Sequence, residues 1–372
     1  MINSTKLSKI GTYRQNDVLF LLKDLSQIKL EDSTENREKK VQAGHHYSES
    51  LPFEYQPPQK YIDLFWESLH LYKQKVALSI GIVSEQIYHR KGENTVLVSL
   101  ARAGTPIGIL IKRYIKLRFG VELPHYSISI IRDRGIDENA LHYILSEHSN
   151  QIIQFVDGWT GKGAISLELT KACREFAQKY GVHLDDTLAV LADPGHCTTL
   201  FGTREDFLIP SACLNSTVSG LVSRTVLNKE LIGANDFHGA KYYRELAGMD
   251  VSNEYIDLIS KEFPSVFDLA AKAALRRRDE KVETDFLGMK AVNTIKKQFN
   301  LNNTHLIKPG VGETTRVLLR RVPWKILLRD LSSPYVKHII MLAQEKNVEV
   351  VQYPDLQYLC CGLIKPMEGI EG

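Results

Sequence analysis

The alternation of short apolar runs with helically spaced stretches is what most constrains this chain. Runs at 95–100, 127–131, 152–156 and 188–191 read as buried strands, and 61–88, 107–119, 140–147 and 165–180 carry apolar residues at helical spacing. Strands alternating with helices fold into right-handed crossover units around a parallel sheet. The expected class is therefore α/β, a parallel sheet with flanking helices. Ligands of such sheets sit at the carboxyl ends of the strands. Three loops of unusual chemistry fall there: 101–108, 132–137 and 157–163.

The last of these loops belongs to IIQFVDGWTGKG, residues 152–163: an apolar strand, an acid, then small residues around one lysine, with a helix behind them. Glycines let backbone amides approach an anion, and a helix start adds favourable partial charge, so the layout suits a phosphate cradle. An ordinary strand-to-helix turn shows the same local pattern. The phosphate motif G-x-x-x-x-G-K-[ST] is not met, because Gly163 follows Lys162, and G-x-G-x-x-G is absent. In ARAGTPIG, Arg102 and a turn of small residues can surround a diphosphate. In RDRGID, Arg132 and Arg134 beside Gly135 can close over an anion and exclude water; a solvated charged turn is the competing reading.

At 372 residues the chain has room for two domains, and the charge-dense run 276–285 is the expected linker between 1–280 and 285–372. Net charge is +3, but from Asp285 onward there are 12 Lys and Arg against 8 Asp and Glu. The basic excess thus lies in the last quarter, as suits a nucleic-acid surface. No apolar run is long enough to span a bilayer, and the N-terminus lacks the basic-then-apolar layout of a secretory signal. The five cysteines are Cys173, Cys197, Cys213, Cys360 and Cys361, with no CxxC pair; a reduced cytoplasmic setting and no membrane association are expected.

Resemblances to known families extend this reading. Asp157 to Gly163 resembles the ribose-phosphate loop of type I phosphoribosyltransferases, and Leu100 to Gly104 resembles their pyrophosphate loop. The resemblance implies a type I phosphoribosyltransferase-like sheet. It puts Asp157 on ribose hydroxyls, with Gly158, Thr160, Gly161, Lys162 and Gly163 on the 5′-phosphate of phosphoribosyl pyrophosphate. Ala101, Arg102, Ala103 and Gly104 take the pyrophosphate. Asp157, Arg132 and Arg134 become catalytic, a magnesium ion is held by substrate oxygens, and the reaction is transfer or cleavage at the anomeric carbon of a nucleotide-like substrate. A homodimer is compatible with this resemblance. The usual acidic pair is reduced to one, since Val156 and Gly158 flank Asp157.

Residues 193–226 and 236–243 are similar to a bacterial group of phosphoribosyltransferase-like proteins encoded with tellurite-resistance and stress genes, called StiP. That implies Asp193, Gly195 and His196 on the base or acceptor side, with Arg224, His238 and Lys241 as further candidates. The group is also described as cysteine-protease-like. This implies an alternative, a cysteine-dependent hydrolase using Cys197 or Cys213, with His196 or His238 as base. A non-catalytic, ligand-sensing RNA-binding regulator is the other alternative.

The segment KPGVGETTRVLLRR, 308–321, resembles the Pelota and kink-turn-binding superfamily, in which Gly-x-Asn-Glu-x-x-Lys opens a helix that meets RNA. Here Gly312 takes the asparagine's place. The resemblance implies a small α/β/α sandwich that contacts RNA through Lys308, Gly310, Gly312, Glu313, Arg316 and Arg320.

Overall fold

A six-stranded sheet forms the centre of the computed structural model, in which residues 9–33, 36, 40 and 44–365 are described. Its strands are β1 (Leu19–Phe20), β2 (Thr95–Leu100), β3 (His125–Ile128), β4 (Ile152–Trp159), β5 (Ala189–Ala192) and β6 (Leu200–Thr203). They lie in the order β1-β3-β2-β4-β5-β6, and every pairing is parallel. All of β2 is buried, which is why TVLVSL lacks the alternation of a half-exposed strand.

Two strand ends differ from expectation. β4 runs on to Trp159, so Asp157 and Gly158 are sheet residues, with Asp157 in register with Val190 and Trp159 with Ala192. The expected strand 127–131 divides: β3 stops at Ile128, and Ile130–Ile131 turns back antiparallel on Gly135–Ile136. RDRGID is the turn of that hairpin.

Helix α1 (Gln59–Lys91) crosses the sheet and packs on β5, β6 and α2 (Gly104–Phe119). Its residues Phe65, Leu69, Val76, Ile80, Val83 and Ile87 are wholly buried, each contributing roughly 1.5–3 kcal/mol of apolar transfer. α2 starts at Gly104, where a Cβ would come within 2.4 Å of the Val156 carbonyl oxygen, so glycine lets the helix start close on β4. On the opposite side lie α3 (Glu138–Glu147), capped by the Asp137 carboxylate, and α4 (Ala164–Tyr180). After β6 the Ser-, Thr- and Gly-rich segment makes only short turns until α5 (Ser252–Ser260) and α6 (Phe263–Asp279). α6 runs into the expected linker.

The last part has a mixed sheet of β7 (Ile307–Pro309), β8 (Pro323–Leu328), β9 (Glu349–Gln352) and β10 (Cys360–Ile364), in the order β7-β10-β8-β9. Only β8 and β9 pair in parallel. Helices α7 (Leu287–Gln298), α8 (Val311–Arg320) and α9 (Lys337–Glu345) accompany it. The two parts are packed together: Tyr335 meets Tyr72 of α1 with ring centroids 5.9 Å apart, and Val311, Leu318, Ile339 and Leu342 share one apolar cluster with Phe65 and Ile80. Among the described residues, no helix is long and apolar enough to cross a membrane.

Candidate functional site

Beyond β5 the chain turns around one carboxylate. Asp193 is fully buried, and its Oδ1 accepts from Cys197 N at 2.8 Å and from the Thr160 hydroxyl. Its Oδ2 accepts from Thr198 N at 3.4 Å and lies 3.6 Å from Arg204 Nε. Burial raises the pKa of Asp193, while these donors and Arg204 pull it down. Inside the turn His196 adopts a left-handed backbone, φ 54°, which a non-glycine residue keeps only where its surroundings over-determine it. His196 Nδ1 lies 3.6 Å from Asp285 Oδ1. Burial, then Arg204, lowers the imidazole pKa, so the ring is neutral at pH 7.

The Cys197 thiol donates to the Gly195 carbonyl at 3.3 Å and lies 3.7 Å from the Gly161 oxygen. The residue is 6% exposed. Burial, reinforced by Asp193, pushes the thiol pKa up to about 12. The sulfur sits against the first turn of α4: a Cβ on Gly163 would come within 3.0 Å of Sγ, and one on Gly195 within 1.8 Å of the Gly161 oxygen. Glycine at both positions lets the two loops touch.

The last part lies across this thiol. Phe286 N donates to the His196 carbonyl at 3.2 Å, and Gly288 N to the Gly195 carbonyl at 3.1 Å. Tyr358 donates its hydroxyl to the Gly161 carbonyl at 3.2 Å. The Phe286 ring fills the space beside Gly163. None of Asp285, Phe286 and Tyr358 stands out in the sequence: the acid is hidden in a charge-dense run, and the aromatics are ordinary core types.

The other candidate thiol has different surroundings. Cys213 is wholly buried with Sγ 3.9 Å from Ser68 Oγ, and burial pushes its pKa to about 12. His238 is occupied elsewhere: its Nδ1 is 2.9 Å from Ser129 Oγ and its amide donates to Asp137 at 2.6 Å. Lys241 pairs with Glu31 at 2.6 Å.

A cavity of about 770 Å³ opens between the two parts. Ala101, Arg102, Ala103, Asp157 and Arg224 line one side; Lys308, Glu313, Arg316 and Arg320 line the other. Arg102 donates to the Val222 carbonyl at 3.1 Å, and burial pushes the Asp157 carboxyl up to about 7. The residues expected to form one ribose-phosphate pocket divide, with Ala101, Arg102, Ala103 and Asp157 on the cavity and the rest elsewhere. Gly104 packs on Val156, while Thr160, Gly161 and Gly163 turn away to Asp193 and Cys197. Lys162 Nζ reaches the Thr304 carbonyl at 2.9 Å. The hairpin expected to close over a ligand is tied to α4, where Glu168 accepts from Asp133 N at 2.9 Å and Gly135 N at 3.2 Å. Arg134 holds Glu49 at 3.1 Å, and Arg132 faces His305.

The helix start expected to meet RNA is turned inward. Asp206 accepts from Val311 N at 2.8 Å and Leu359 N at 2.9 Å, capping α8 with a half-buried carboxylate beside Gly310. Gly312 packs near Ala212. Arg316 Nε donates to the Ala212 carbonyl at 3.1 Å and Arg320 to the Cys213 carbonyl at 2.6 Å. Among the described residues no group of three or more His, Cys, Asp or Glu is placed to hold a metal ion.

These features define a class: a parallel α/β protein with a thiol buried at the carboxyl ends of its strands and covered by a small α/β module. The family model described as "Tellurite-like stress resistance cysteine protease StiP" matches residues 11–260, and the PELOTA RNA binding domain model matches 286–366. A relative from Acinetobacter baylyi, the "Cysteine protease StiP", is 35% identical over 368 residues, covering 96% of this chain and 94% of the relative. The chain belongs to the StiP family. This overturns the phosphoribosyltransferase reading, because family and relative are both described as cysteine proteases. The roles of the loops toward phosphoribosyl pyrophosphate, and magnesium with them, are implied by that resemblance alone and lose their basis.

Proposed function

We propose that this chain is a cysteine-dependent hydrolase of the protease class, with Cys197 as nucleophile, and that its C-terminal unit binds RNA. The units are 1–280 and 285–372. The description of the family supports the class and the stress setting; the match to an RNA-binding module supports the partner. One observation carries the choice of residue. Cys197 directly follows a histidine, sits in a turn shaped by a buried carboxylate, and lies against the first turn of a helix.

In the reaction His196 takes the Sγ proton, and the thiolate adds to a peptide carbonyl carbon. The start of α4, which lies beside the sulfur, supplies favourable partial charge for the oxygen on which charge develops. Collapse breaks the C–N bond, and the amine leaves with the imidazolium proton. Water then adds to the thioester, releasing the acid and returning a proton to sulfur. The arrangement described above is the latent one. A thiol with a pKa near 12 is not a nucleophile at neutral pH, and Phe286 to Gly288 cover it. Turnover therefore requires that segment to lift, which also frees His196 from Asp285.

The test is cleavage of casein by the full chain, with and without Phe286→Ala to loosen the cover. Cys197→Ala abolishes cleavage in both backgrounds and Cys213→Ala does not. Retained cleavage in Cys197→Ala sinks the assignment.

A further inference from the structure

On the outer side of the thiol loop, cationic side chains from both parts face one another. Arg132 Nη1 is 3.2 Å from His305 Nδ1, and Lys162 Nζ bonds the carbonyl of the preceding residue, Thr304, at 2.9 Å. Lys308 stands close enough for its field to act on both Lys162 and His305. Three nearby carboxylates are engaged, Glu49 by Arg134 at 3.1 Å, Glu313 by Arg316 at 3.2 Å and Glu168 by backbone amides, while Asp133, next to Arg132, offsets part of the positive field at His305. Among the described residues no carboxylate pairs with Arg132, Lys162 or Lys308, and Arg132 Nε is buried without a partner. Two like charges about 4 Å apart repel by about 1 kcal/mol even in water, so such a cluster favours an anion.

We infer that this seam is a phosphate track on which single-stranded RNA crosses from the C-terminal unit onto the first, ending at the cavity. The inference rests on the RNA reading above. Three observations select RNA and its single-stranded form. The start of α8 is capped by Asp206, so phosphate contacts must come from elsewhere. Lys308 belongs to both the seam and the cavity wall, where the Arg316 guanidinium lies 5.0 Å over the Trp159 ring. That stack is a platform for an unpaired base, and a cavity of about 770 Å³ holds a nucleotide but not a duplex.

The experiment is fluorescence anisotropy of a labelled single-stranded RNA with the full chain over a salt series. Each lost phosphate contact lowers the salt slope by about 0.7 for single strands, so Arg132→Ala with Lys162→Ala is expected to lower it by about 1.4 and to weaken binding. Arg132→Lys with Lys162→Arg restores both. Lys308→Gln, outside the thiol loop, reads the same track if the double variant does not fold. Wild-type binding with an unchanged slope in the variants overturns the seam and leaves RNA binding standing. No binding by the wild type removes the RNA reading and the seam together. Polyglutamate of equal charge displacing the probe as well as unlabelled RNA overturns RNA as the occupant.

Discussion

The hydroxyl of Tyr358 donates to the carbonyl of Gly161 at 3.2 Å, so a residue of the C-terminal unit holds the loop against which Cys197 rests. Access to the thiol is thereby set by how the two units meet. Phe286 and Gly288 add amide bonds to the other wall, at His196 and Gly195.

Removing the ring that covers Gly163 should expose the sulfur. Phe286→Ala is expected to raise iodoacetamide alkylation of Cys197 about tenfold, the effect of an opening easier by ~1.4 kcal/mol. Peptide mass spectrometry reads the site, with the wholly buried Cys213 as an internal control. Equal labelling of Cys197 in both proteins would count against the cover.

Asp193→Asn keeps size but places an amide group among donors. Cys197 N, Thr198 N and Arg204 then lose part of their acceptor. A loss of about 2–3 kcal/mol is expected, seen as a lower urea midpoint at unchanged slope.

The pH behaviour of Asp157 follows from its pKa of about 7, raised by burial above the ordinary value of 3.8. The folded state holds the proton more tightly, so this group's contribution to stability falls as pH rises from about 4 through 7. Asp157→Asn removes the charged form. It is expected to stabilise the chain by about 1–2 kcal/mol at pH 8, a figure reduced for solvent in the cavity, and to be near neutral at pH 4. Thermal melts at the two pH values measure the difference. A larger gain at pH 4 would contradict the assignment.

Lys162 offers a chemical readout. Burial, then Lys308 and Arg132, lowers its pKa to about 8. At pH 8 about half of it is the free amine, against well under a hundredth of an ordinary lysine. Limiting acetic anhydride is expected to modify Lys162 ahead of the exposed Lys281, with mass spectrometry giving the order.

The sheet was legible because buried parallel strands are written as continuous apolar runs, and TVLVSL is one. The site was legible only in part. Asp157, Arg102 and Lys162 read as one pocket, yet the strand continues to Trp159 instead of ending at Val156, so the loop begins at Thr160. That extension leaves Asp157 with Arg102 at the cavity and turns the glycine-lysine segment toward Cys197 and the seam. Cys197 and His196 were visible as neighbours in sequence. Their surroundings were not, because Asp285, Phe286 and Tyr358 arrive from a separate unit and local periodicity carries no trace of such pairings.

The apolar cluster that joins Phe65 and Ile80 to Val311 and Leu342 has a consequence for the chain's integrity. The C-terminal module keeps a cluster of its own around Val292, Ile307 and Leu327, but the shared cluster couples its stability to that of the part that bears the thiol. Cutting the chain near residue 280 would strip apolar surface from both fragments at once. Uncovering the thiol by a local rearrangement of the segment over it is thus expected to cost less than detaching the C-terminal unit.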